Sequence, residues 1–134
     1  MIMNNDNQVL QKAFNDHFDE FINDIVTLFP GNIDIRSAKT SIQMLRKANP
    51  KILIGVWNKY ISTKYSTQIE AGDITFFIDN DYTEDLSNLD NSSQIMAAFD
   101  KLKGPIKEMG DDNREKTMKY IQNLKKICDL YHSN

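Results

Sequence analysis

The sequence has little of what staples, metallates or breaks a chain. Its 134 residues include one cysteine, two histidines, three prolines and five glycines. One thiol closes no internal disulfide, so Cys128 reads as a reduced thiol of an intracellular compartment. No Cys/His metal spacing, Gly-rich phosphate loop or nucleophile elbow is present. The longest apolar run, Ile52-Leu53-Ile54-Gly55-Val56-Trp57, falls far short of the ~20 residues that span a bilayer, and no membrane association is expected. The first six residues, Met1 to Asp6, lack the basic flank and apolar core of a secretory signal. With 40% hydrophobic residues and few glycines and prolines, disordered and fibrous classes are excluded.

What is present is helical periodicity over nearly the whole length. Leu10, Phe14, Phe18, Phe21, Ile25 and Leu28 recur every three or four residues with polar residues between them, which predicts an amphipathic first helix. Pro30-Gly31 ends it. A second helix is predicted over Ile35 to Ala48, with Ile35, Ala38, Ile42 and Leu45 inward and Asn32 or Asp34 as its cap. Asn49-Pro50 breaks the chain, because proline disfavours helix in the residue before it and suits the first position of a new one. A third helix is therefore expected from Pro50 to about Tyr65, with Leu53, Val56, Trp57, Tyr60 and Ile61 inward. Gly55 within it predicts close approach of a neighbouring helix.

Beyond Glu70 the pattern loosens. Gly72-Asp73 reads as a turn and cap for a short helix over Ile74 to Ile78; strand is the alternative, rich in β-formers but without a partner. Thr83 is a candidate cap for a turn through Leu86 and Leu89. Asn91-Ser92-Ser93 opens a helix carrying Ile95, Phe99, Leu102, Ile106 and Met109, which Gly104-Pro105 should kink or divide. Gly110 to Asn113 leads into a last helix with Met118, Ile121, Leu124, Cys128 and Tyr131 on its stripe. The expectation is an all-α, compact single-domain bundle of about five main helices plus one or two short ones, with residues 1–6 and 132–134 frayed.

Charge is segregated along this framework. The sum of 16 basic and 19 acidic residues is only −3, yet residues 1–34 carry −5, 35–69 carry +7, 70–100 carry −8 and 101–134 carry +3. Arg36, Lys39, Arg46, Lys47, Lys51, Lys59 and Lys64 supply the basic segment, with Trp57, Tyr60 and Tyr65 among them. They are the candidate basic partner-binding face. Phosphate contact with base stacking is one use of such a segment; pairing with acidic surface is the other, and the helical spacing of Trp57 and Tyr60 places them on the core stripe. Overall acidity favours a protein partner or self-association over nucleic acid. Asp79, Asp81, Glu84, Asp85 and Asp90 form the candidate acidic partner-binding segment. Set on a calcium-loop template from Asp79, they put Glu84 where the turn needs glycine and lack the final bidentate glutamate, so a solvated acidic loop is expected.

Residues able to do chemistry are sparse. His17 sits beside Asp16, Asp19 and Glu20 at the edge of the first apolar stripe, where a structural role outweighs a ligand role. His132 is terminal. Cys128 lies on an apolar stripe, with Lys125 and Lys126 the nearest bases. No catalytic constellation, metal site or cofactor is expected, and an enzyme is not.

Three stretches, Arg46-Lys47-Ala48-Asn49-Pro50-Lys51, Gln68 to Phe77, and Lys119-Tyr120-Ile121-Gln122-Asn123-Leu124, resemble a set of small proteins of nucleocytoplasmic large DNA viruses, the giant viruses of algae and protists. The resemblance runs from about Phe14 to Tyr131 and carries no activity, cofactor or catalytic residue. It implies a setting, the host cytoplasm with its viral factory or the virion. Two functions are consistent with it: a structural or adaptor protein acting through charged helical surfaces, or a nucleic-acid-binding accessory factor in viral transcription or replication using residues 35–69.

Overall fold

The computed structural model describes residues 3–79 and 91–133, and these are helical throughout with short connections. The helices are α1 (Met3–Leu28), α2 (Ile33–Ala48), α3 (Ile52–Trp57), α4 (Ser66–Glu70), α5 (Thr75–Ile78), α6 (Asn91–Lys101), α7 (Lys103–Glu108) and α8 (Asp111–Ser133). The α3 helix runs directly into a π-helical turn, Asn58–Ser62. Five elements are therefore long, as the periodicity predicts, with three short ones. Segment 75–78 is helix rather than strand, and no strand occurs among the described residues.

The boundaries follow local chemistry. Asn32 caps α2, its side-chain oxygen accepting from the Ile35 amide at 3.1 Å, one of the donors a helix start leaves open. Asn49 closes α2 through its own amide to Leu45 and accepts from the Lys51 amide through its side chain. Helix α3 consequently starts at Ile52 rather than at Pro50. Gly72 takes the left-handed conformation (φ 74°) while the Asp73 amide bonds back to Gln68 and the Gly72 amide to Ile69, a Schellman-type stop that only glycine adopts cheaply. Pro105 lies in the first turn of α7, where a missing amide proton is tolerated, and the helical run divides at Leu102. The chain ends are helical over more residues than expected, from Met3 and through Ser133.

Trp57 is the hub of the interior. Only 2% exposed, its ring meets Phe14 at 5.9 Å, Phe18 at 6.1 Å and Phe99 at 5.7 Å between centroids, all edge-on. Three helices, α1, α3 and α6, thus interlock on one side chain, and burying each such ring is worth about 1.5–3 kcal/mol. Helix α1 packs chiefly on α8 and α2 on α6. Contacts of Phe21 and His17 with Tyr120 and of Asp24 with Lys116 climb α8 as they descend α1, so the two run antiparallel.

The π turn is the feature that helical periodicity does not announce. The Thr63 amide bonds to the Asn58 carbonyl five residues back, at 3.1 Å, inserting a residue into the helix. It turns Ile61 and Ser62 inward beneath α8; both are fully buried. Gly55 departs from expectation in the other direction. It is exposed, and a Cβ built there would meet nothing within 4 Å. No neighbouring helix requires it.

Candidate interaction surface

The seven bases of the second segment divide into distinct environments. Arg46 is held inside the fold. Its guanidinium bonds to Asp19 at 2.9 Å and to the Asn15 carbonyl at 3.3 Å, while the Asn15 side chain donates to the Pro50 carbonyl at 3.2 Å. This brace ties the middle of α1 to the end of α2 and the turn after it. Lys59 and Lys64 each lie over the ring of the following tyrosine, at 5.1 and 5.6 Å. Arg36, Lys39, Lys47, Lys51 and Lys59 make no ion pair with any described residue.

The helix geometry of α2 sets two of these bases, Arg36 and Lys47, on one outward face, while Lys39 lies half-buried off it. The inner face of α2 buries Ile35, Ala38 and Ile42. Ile33, Arg36, Thr40, Met44 and Lys47, at spacings of three, four, four and three, form the opposite stripe, and all five are exposed. Ile33 is 79% and Met44 68% exposed, the two most exposed of the large apolar side chains described. Eleven residues return a helix to within about 20° of its starting direction, so the two share the stripe about 16 Å apart. Lys51 follows in the next turn. Beside the first half of the stripe, Lys101 of α6 donates to Ser37 at 3.2 Å. Asp34 is the one acid on α2. Sequence reasoning found the bases but missed Ile33 and Met44. The signal was available, because both fall outside the apolar period of α2 and therefore point away from the core.

The acids are distributed differently. On α1, Asp16 pairs with Lys12 at 2.6 Å, Asp19 with Arg46, Glu20 with His17 at 3.3 Å and Asp24 with Lys116 at 2.9 Å. Glu70 of α4 pairs with Lys125 at 3.1 Å, and Lys125 also meets Asp129 at 2.5 Å. That lysine is itself nearly buried. Lys125, by hydrogen bond and by charge, holds the Glu70 carboxyl below its ordinary range. Burial works against the Lys125 ammonium, but its hydrogen bonds to Asp129 and Glu70 outweigh that and raise it. Asp79 is exposed at the end of α5. Asp81, Glu84, Asp85 and Asp90, with Thr83 and most of the calcium-loop template, lie outside the described residues.

Two of the three aromatics in the basic segment are core residues. Trp57 is buried in the hub, Tyr65 is buried against Phe76 with centroids 5.2 Å apart, and Tyr60 is half-buried under Lys59. Trp57 and Tyr65 therefore offer no stacking surface to a nucleobase.

The chemistry-bearing residues outside the basic segment are structurally engaged. Cys128 Sγ lies 3.7 Å from the Ile54 carbonyl, 3.8 Å from Asn58 Oδ1 and 3.5 Å from His132 Nδ1. The grouping of thiol, imidazole and amide resembles a nucleophile set by residue type only. Burial pushes the thiol up to about 12, which leaves it protonated and unreactive at neutral pH. His132 Nδ1 is 2.9 Å from the Cys128 carbonyl, and as the donor there it has no lone pair to take the thiol proton. His17 is largely covered, its ring 5.1 Å from Tyr120. Two adjoining clefts, of about 340 and 380 Å³, run along α8 and meet at Gln122, which donates to the Ile69 carbonyl between them. Their walls mix Glu70, Glu115 and Asp129 with Arg114, Lys119 and Lys126. No group of three His, Cys, Asp or Glu side chains is placed to hold a metal among the described residues. No helix among them is long and apolar enough to cross a membrane.

Fold and surface together define an all-α structure in which the outward face of α2 is basic, apolar at intervals and without an ion pair among the described residues. Comparison with protein-family models, curated proteins and solved structures finds no match to the chain.

Proposed function

We propose that this chain is a non-enzymatic structural or adaptor protein that docks a protein partner through the outward face of α2. The setting implied by its resemblance to proteins of large DNA viruses is the viral factory in the host cytoplasm or the virion. One observation carries the reading: Arg36 and Lys47, with no ion pair to any described residue, lie on the same exposed stripe as Ile33 and Met44. Bases alone steer association and set specificity, whereas exposed apolar side chains among them gain free energy only when covered. A nucleic acid is the second reading, favoured by the five bases without an acidic partner among the described residues. It makes poor use of Ile33 and Met44 and finds Trp57 and Tyr65 buried.

The test is affinity capture of tagged protein from infected cells, with and without nuclease, for the natural chain and for the R36E/K47E variant. A partner retained after nuclease and lost on charge reversal supports protein docking through α2. Loss on nuclease treatment establishes the nucleic-acid reading instead. Capture unaffected by charge reversal overturns the assignment to this face.

A further inference from the structure

The stripe on α2 has a shape as well as a charge. Ile33 to Lys47 spans fifteen residues of helix, about 21 Å from first to last, and the stripe is one side chain wide. It is convex, with no pocket among the described clefts opening onto it. A convex helical ridge is complemented by the groove between the side-chain rows of another helix. A peptide adding as a β-strand would need a sheet edge to bond to, and the described residues contain no strand. The charge is of one sign along the ridge: Arg36 and Lys47 lie on it and Lys101 beside it, while Asp34 lies at its amino-terminal end. The apolar contacts fall three turns apart, at Ile33 and Met44.

We infer that this face receives an acidic amphipathic helix of a partner protein, lying along α2 with apolar side chains three turns apart over Ile33 and Met44 and carboxylates opposite Arg36 and Lys47. The inference rests on the docking role proposed above and narrows it to one class of partner. A single helix pair covers less area than a standard protein interface, so the expected affinity is in the micromolar range, weakened by salt and set in part by the two apolar contacts.

The probe is a synthetic helical peptide of about 16 residues, leucine at two positions three turns apart, glutamate flanking them on the same face and alanine elsewhere. A shuffled peptide of identical composition is its control. Binding is followed by amide chemical shifts of the full chain. The expected result is saturable shifts confined to α2 around Ile33, Arg36, Thr40, Met44 and Lys47, with a dissociation constant of ~10–100 µM. R36E/K47E should weaken it at least about tenfold at low salt. Met44→Ser should weaken it at high salt as well, where charge is screened. Circular dichroism confirms that both variants are folded.

Four results would overturn the inference. They are no saturable shift at ~1 mM peptide, equal binding of the shuffled peptide, shifts centred on the α8 clefts, or shifts in α2 that appear on concentrating the protein alone, which would make the occupant a second copy. Failure here is separable from failure of the docking role. If a nuclease-resistant partner is still captured and lost on charge reversal, docking stands and only the helical, acidic character of the partner falls.

Discussion

Arg46 and Lys47 are neighbours in sequence and have opposite fates. A helix turns 100° per residue, enough to carry Arg46 under the lip of α1 and leave Lys47 in solvent. The arginine side chain is 16% exposed and bonded to Asp19 and Asn15; the lysine is exposed and meets no acid among the described residues. The two sides of α2 thus separate two uses of positive charge. One holds helices together, as Lys116 does with Asp24 and Lys125 with Glu70. The other is left for something outside the chain. A segment total of +7 contains both, and only the angle around the helix distinguishes them.

The largest expected effect comes from breaking the inner side. Arg46→Ala removes a largely buried guanidinium, takes the charged partner from the Asp19 carboxylate and leaves the Asn15 carbonyl with only its bond inside α1. Hydrogen bonds to charged groups contribute about 1.5–3 kcal/mol each when well formed, and solvent replaces part of the loss at this depth, so destabilisation of about 1–3 kcal/mol is expected. Lys47→Ala, one residue on, should change stability by less than about 0.5 kcal/mol. Urea denaturation of the two variants measures the contrast directly. Equal losses would erase the distinction between the faces.

A smaller effect of opposite sign tests whether open space on the surface is really open. Gly55 invited the inference of a close helix contact because glycine inside a helix is costly. The helix has instead an exposed glycine with nothing over it. Alanine at that position keeps the helical backbone and restricts the unfolded chain, so Gly55→Ala should stabilise the protein by about 0.5–1 kcal/mol. Thermal melts compare the two chains. A loss of stability would mean that the backbone there cannot accept a side chain, and the outer side of α3 would need reinterpretation.

These positions also mark how far the sequence could be read. The periodic apolar stripes carried the long helices, because burial at three- and four-residue spacing is what selects them. The stop at Pro30-Gly31 and the turn at Gly72-Asp73 were legible from backbone chemistry alone, whereas the division expected at Gly104-Pro105 falls at Leu102 and leaves both residues inside α7. The π turn at Asn58–Ser62 was not legible, since a hydrogen bond five residues back leaves no mark in apolar spacings of three and four. The start at Ile52 was missed because Asn49 stitches both sides of the break. At the candidate surface the basic residues were visible as a run, but composition gives charge per segment and pairing needs distance. Asp19 is 27 residues from Arg46, a contact no local pattern encodes. Ile33 and Met44 fall off the apolar period of α2, and that period alone points them away from the face that buries Ile35, Ala38 and Ile42.

The smallest effect concerns Glu70 and Lys125, the inner use of charge at its most exposed. Lys125 holds the Glu70 carboxyl below its ordinary value, so the folded state binds this proton less readily than the unfolded chain. The stabilisation is therefore complete above the unfolded value of about 4.5 and is lost as pH falls through the lower, folded one. Lys125 behaves in the mirror sense. Its ammonium is raised, so its contribution is full below its ordinary value and lost only as pH rises through the raised one. Glu70→Gln keeps the shape and removes the charge. Its melting temperature should lie slightly below that of the natural chain at pH 7, and the gap should close as pH drops below the carboxylate range. A gap that persists at low pH would assign the effect to packing or to the Ser66 hydrogen bond. Glu70 would then stand with the surface charges rather than with Asp19 and Asp24.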